Sequence, residues 1–201
     1  MARRCCWIFV AILAGALAAD NADARGSLPG SNSPPSIVNA SPTLAPFQHV
    51  RFCIRYPADC RSDPAQTGLI VPTPGVLRLL QQVNHSVNVS ILPTLKDYGS
   101  DLANAWQIAP DSGDCNDYAV TKRHELIEKG LPSRALRLSV VTTATGTGHL
   151  VLVVTTANGD LVMDNLTDAI RAWRSTDYHW LKIQSADDAQ LWYEVRPSVR
   201  D

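Results

Sequence analysis

The hydrophobic period of this chain changes around Gly130 and Pro132, and that change limits the folds open to it. Upstream, Val76, Leu80, Val83 and Val87 recur at spacings of four, three and four, which gives one helical stripe ending near Ser90. Pro74 suits the first turn of that helix. Downstream, the period becomes two, or gives way to continuous β-branched runs, at residues 135–143, 149–156, 159–164, 178–185 and 191–195. The two most apolar runs, "RLSVVTT" and "HLVLVVTT", read as central strands. Helix packed on an antiparallel sheet is α+β architecture, and 201 residues with 45% hydrophobic content suit one such domain.

A second helix is predicted over residues 115–129. Asp114 is its N-cap, Asp117 completes a box-like acidic first turn, and Gly130 followed by Pro132 ends it. Tyr118, Ala119, Leu126 and Ile127 form its expected buried face, and Cys115 is its first residue. The preceding stretch is broken by Pro93, Gly99, Pro110 and Gly113 and reads as an irregular connection.

The first residues carry a different signal. Arg3 and Arg4 precede an apolar run over residues 5–19, and "GALAADNADA" follows, the layout of a secretory signal peptide over residues 1–24. Cleavage fits after Ala18 or Ala24. The run falls short of the roughly 20 residues of a membrane span, so no stable insertion is expected once the signal is cut, and the product is expected to be periplasmic or secreted. Residues 25–46, rich in Pro, Ser, Gly and Asn, are expected to be a flexible leader to a folded domain over residues 47–201. A net charge of −1 without a Lys or Arg run argues against nucleic acid as a partner.

Export changes the meaning of the cysteines. Cys5 and Cys6 leave with the signal, so Cys53, Cys60 and Cys115 remain. In an oxidising compartment two pair, and Cys53 with Cys60 can close a short loop worth roughly 2–3 kcal/mol by chain entropy. A zinc site from all three is disfavoured, because paired structural ligands usually stand closer in sequence. Cys115 is then the odd thiol.

A helix N-terminus favours a thiolate and offers backbone N–H groups to an oxyanion. Asp114 and Asp117 oppose the thiolate, so a base is needed. Among five histidines, His124 points away from Cys115 on the same helix, His49 falls near the flexible segment, His85 lies on the packing helix, and His179 stands next to Trp180 with no polar partner in view. His149 opens an apolar strand after "TGTG", at a sheet end where a cleft can form. Asp164 ends the next strand as an acid among apolar residues. A two-residue turn at Asn158-Gly159 would set Asp164 opposite Val153, too far from His149. A four-residue loop over residues 156–159, with Gly159 at positive φ, pairs Thr155 with Asp160 instead. Asp164 then falls opposite Val151, a diagonal neighbour of His149 at roughly 7–8 Å.

"GDCNDYAVTKRHELIEKGLP", "RLSVVTTATGTGHLVLVV" and "GDLVMDNLTDAIRAW", in that order, together with "FCIRYPADC" and Ala105-Trp106, resemble the bacterial transglutaminase-like cysteine proteinases. That family belongs to the papain-like and transglutaminase superfamily. The resemblance implies a papain-like fold, with nucleophile Cys115, general base His149 and orienting acid Asp164, and a protein substrate such as a surface adhesin that governs biofilm attachment. It implies no required cofactor. Some members bind calcium through carboxylates beside the cysteine; here Asp114 is present but Asn116 replaces an expected Glu, so any such site should be weak. Amine transfer by a transglutaminase-type enzyme and a silent binding module are the competing readings.

Overall fold

The computed structural model describes residues 36–96 and 105–196. The expected signal peptide and the first half of the expected leader, residues 25–35, lie outside the described residues. Nine strands and three α-helices are present among them: β1 (Asn39–Thr43), α1 (Phe47–Arg55), α2 (Pro74–Ser90), β2 (Leu92–Pro93), β3 (Ser112–Gly113), α3 (Cys115–Glu128), β4 (Leu136–Thr142), β5 (Gly148–Thr156), β6 (Gly159–Met163), β7 (Arg171–Ala172), β8 (His179–Gln184) and β9 (Trp192–Val195). Seven strands form one sheet in the order β1-β9-β8-β4-β5-β6-β7, with every pairing antiparallel. β2 and β3 make a separate parallel pair that leads into α3. None of the described helices is long and apolar enough to cross a membrane.

Both faces of β5 are covered, which explains why its sequence is continuously apolar rather than alternating. Leu150, Leu152 and Val154 join the larger core with Leu80, Val83 and Val87 of α2 and Leu126 of α3. Val151 and Val153 point the other way, into a second cluster with Ile37, Trp173 and Ile183. α3 is therefore central. Its buried residues include Asp117, Thr121, Lys122 and Arg123 beside Tyr118, Ala119 and Leu126, well beyond the apolar face legible in the sequence, and Ile127 is only partly buried. Arg123 is partnered there: its Nε–H donates to the Leu136 carbonyl at 2.9 Å.

The structure differs from the expected leader at its carboxyl end. Asn39–Thr43 is an edge strand on β9, with an irregular register that accommodates Pro42, and the buried Ile37 donates its N–H to Asp160 Oδ2 at 2.6 Å. An open sheet edge can recruit a Pro- and Ser-rich segment because backbone pairing needs no apolar period. α1 is also absent from the pattern of the sequence, since its buried side chains are only His49 and Phe52. Cys53 on α1 is bonded to Cys60, with Cα atoms 5.4 Å apart.

The hairpin between β5 and β6 pairs Thr155 with Asp160 and Leu152 with Met163, the register that places Asp164 opposite Val151. It closes one pair further than expected, with Thr156 opposite Gly159 and only Ala157 and Asn158 between them. Gly159 has φ +105°, and the Thr156 hydroxyl donates to the Gly159 carbonyl at 2.6 Å.

Candidate active site

Asp114 caps α3 with a reciprocal box: its carboxylate accepts from the Asn116 N–H at 3.0 Å, and Asp117 Oδ2 accepts from the Asp114 N–H at 2.9 Å. The cap starts the helix at Cys115 and turns the thiol into a cleft of about 1000 Å³. Gly113 is required for this arrangement. A Cβ there would stand 2.5 Å from Asp117 Oδ2 and 2.8 Å from Asp117 Cβ, so only glycine lets the acid fold back under the strand.

Cys115 is a free, half-buried cysteine lining the cleft together with His149, Trp106, Asn165 and Leu166. His149, on the second residue of β5, is hydrogen-bonded to Asp164 and lies close enough to Cys115 to feel its side chain. Its Nε2 meets Asp164 Oδ1 at 2.8 Å, and both side chains are about 95% buried. A carboxylate only accepts, so Nε2 carries a proton and Nδ1 is the ring atom left to exchange a proton with sulfur. Burial alone would lower the His149 pKa. The Asp164 carboxylate and the Cys115 side chain outweigh it and raise it from 6.5 to about 9. For Asp164, burial acts upward, but His149, Tyr178 and the Leu166 N–H hold the carboxyl below its ordinary value. At neutral pH this geometry favours an imidazolium held by the Asp164 carboxylate.

Several residues that support the site have no signal in the sequence. The Tyr178 hydroxyl donates to Asp164 Oδ2, and its ring lies 5.7 Å from that of His149. The Asn88 amide, on α2, donates to the Asp164 carbonyl at 3.0 Å and to Asp168 Oδ1 at 2.7 Å. Lys122 Nζ is buried with no hydrogen-bond partner among the described residues; burial lowers its pKa to about 7 against the attraction of Asp164 and Asp168. These contacts bridge separate elements, so no spacing along the chain marks them.

The other histidines serve packing or surface roles. His49 is buried rather than placed on a flexible segment, accepts from Trp192 Nε1 at 3.3 Å, and has its pKa lowered to about 4 by burial and by Arg123. His85 pairs with Asp168 and His124 with Asp59, while His179 is exposed. Trp106 is buried beside Phe52 and also forms part of the cleft wall.

Comparison with solved structures places the fold. The chain is similar to calcium-bound LapG of Legionella pneumophila, with 25% identity, a TM-score of 0.51, and coverage of 65% of this chain and 76% of that one. Two further structures of that protein, one of them EGTA-treated, align at 22% identity over 74% of this chain and 79% and 78% of theirs, with TM-scores of 0.47. Among curated proteins the chain has no match.

The calcium-bound neighbour makes calcium a property to test against the donors beside Cys115. Calcium takes six to eight oxygens. Asp117 already accepts from Lys96 Nζ at 2.7 Å on each oxygen, from the Gln107 N–H at 2.8 Å and from the Asp114 N–H at 2.9 Å. Asp114 Oδ1 accepts from the Asn116 N–H and from its Nδ2 at 3.1 Å. Among the described residues, this donor set does not fit calcium. No carboxylate cluster with metal-ligand spacing occurs among the described residues, where only His49, Cys53 and Cys60 group that closely, and the two cysteines are bonded to each other.

The thiol at a capped helix end, the α+β sheet and the likeness to LapG agree with the family model of the bacterial transglutaminase-like cysteine proteinases, which matches residues 39–199, and the chain belongs to that family.

Proposed function

We propose that this cysteine peptidase acts outside the cytoplasm, with Cys115 as nucleophile, His149 as proton carrier and Asp164 as the group that holds the ring. The observation that carries the reading is the buried 2.8 Å hydrogen bond between His149 and Asp164, beside a free thiol on the wall of an open cleft. The thiolate sulfur attacks the scissile carbonyl carbon, and the C=O electron pair moves to oxygen. The Cys115 backbone N–H, in the first turn of α3, stabilises that oxyanion. Imidazolium Nδ1 then protonates the leaving amine, the C–N bond breaks, and a thioester remains. Water attacks the thioester while His149 takes its proton, and the thiolate returns as the carboxylic acid departs.

The apolar run over residues 5–19 and the Cys53–Cys60 bond support an oxidising, extracytoplasmic location. A surface adhesin is the substrate we propose from the family resemblance. The cleft suits an extended segment with uncharged side chains, since Phe47, Leu95, Val140 and Leu166 contribute to its lining.

The test is intact-mass analysis after iodoacetamide at pH 6, paired with cleavage of surface proteins from cells that lack an active copy. Selective alkylation lost in Cys115→Ser and slowed in His149→Ala is expected, with fragment release by wild type only. Equal sluggishness of wild type and His149→Ala would refute the proposal.

A further inference from the structure

We infer that the Lys96 ammonium is a built-in cation for the acidic first turn of α3, so that this chain sets the geometry of its nucleophile without calcium. The inference rests on Cys115 being the nucleophile, but its own evidence is the coordination of Lys96. Nζ has three N–H donors and three acceptors: the two oxygens of Asp117, at 2.7 Å each, and the Ala105 carbonyl at 3.3 Å. The ammonium is thus fully satisfied.

Asp117 is equally saturated. Its side chain is 0% exposed and that of Lys96 only 8%. Two carboxylate oxygens offer about four lone-pair sites, and Lys96 fills two while the Gln107 and Asp114 N–H groups fill the others. A divalent ion would have to expel a buried ammonium and break both backbone contacts, while Asn116 brings a neutral amide whose Nδ2 already faces Asp114. A bound cation would also tie together a carboxylate and a backbone carbonyl, and Lys96 does this with a covalently attached charge. Through Asp117 it links Gln107, next to the cleft-lining Trp106, to the cap that aims Cys115. Lys96 is therefore a positioning residue, acting through Asp117 and touching no reacting atom.

The test uses the secreted form of the protein without its signal, and three readouts: calcium titration by calorimetry, Tm in calcium or EGTA, and the rate of Cys115 alkylation in each. For wild type, no binding is expected up to about 1 mM calcium, the weak end of extracellular sites. Tm and alkylation rate should be the same in calcium and EGTA. Lys96→Met should lower Tm by about 5 °C or more, with calcium restoring part of the loss. Wild-type calcium binding that Asp117→Asn abolishes, or alkylation slowed by EGTA, would overturn the inference. So would a Lys96→Met protein with unchanged Tm. The wild-type arm decides even if Lys96→Met fails to fold. Calorimetry and Tm do not depend on thiol chemistry, so an unreactive Cys115 would sink the peptidase mechanism and leave these readouts to judge Lys96 separately.

Discussion

Asp164→Asn keeps the shape of the side chain that holds His149 and removes its charge. In the wild type, His149 stands at about 9 instead of 6.5, although burial works in the opposite direction. At 1.36 kcal/mol for each pKa unit, that rise corresponds to ~3 kcal/mol in favour of the imidazolium. Asp164 contributes both a hydrogen bond and its charge, and the Cys115 side chain contributes the rest. Removing the acid should therefore forfeit about 1.5–3 kcal/mol, or roughly 10- to 150-fold in the preference for the imidazolium. Without the carboxylate, burial is opposed by the Cys115 side chain alone, and the imidazolium is less favoured. The assay is the second-order rate of iodoacetamide modification of Cys115 from pH 5 to 9, read by intact mass, with circular dichroism as a check on folding. The expected result is a loss of that size at pH 6 that narrows as the pH rises. A folded Asp164→Asn protein alkylated at the wild-type rate at pH 6 would refute the argument.

Three other outcomes are expected. Gly113→Ala puts a methyl into the Asp117 carboxylate and should cost about 1–3 kcal/mol in urea melts, with slower Cys115 alkylation because the cap moves; an unchanged melting midpoint would contradict it. Replacing Cys53 and Cys60 by alanine opens a loop of eight residues and should cost about 2.5 kcal/mol by the loop-entropy model, while leaving Cys115 reactive in the protein that remains folded. Lys122 is at about 7 when folded and 10.5 in an unfolded chain. Between those values the unfolded chain holds a proton the folded one has released, so its contribution to stability rises with pH across that window. Lys122→Met should remove that rise and stabilise the protein at pH 6 by about 2–5 kcal/mol, as burying an unpaired ammonium implies; equal differences from wild type at pH 6 and pH 10 would count against it.

Local chemistry was readable without coordinates wherever a physical rule acts over a few residues. The cap Asp114 and the stop at Gly130 delimit α3 because a helix must satisfy its end groups nearby. The register that brings Asp164 to His149 follows from a turn too short to allow many alternatives, and only the closing pair differed. The Cys53–Cys60 bond spans seven positions, close enough for arithmetic to suggest it.

Long-range partnerships were a matter for the tertiary structure. Asn39–Thr43 is a strand only because β9 presents an unpaired edge, and α1 is a helix whose buried face rests on a histidine and a phenylalanine. Tyr178 and Asn88 reach Asp164 from elements 14 and 76 residues away, and Lys96 meets Asp117 across 21. The sequence thus determined where α2 and α3 begin, which strands are central, and which thiol, imidazole and carboxylate stand at element ends. Which polar groups satisfy one another inside the protein was decided by packing. A buried charge takes whatever partner the fold brings within hydrogen-bond reach, and that distance has no fixed relation to separation along the chain.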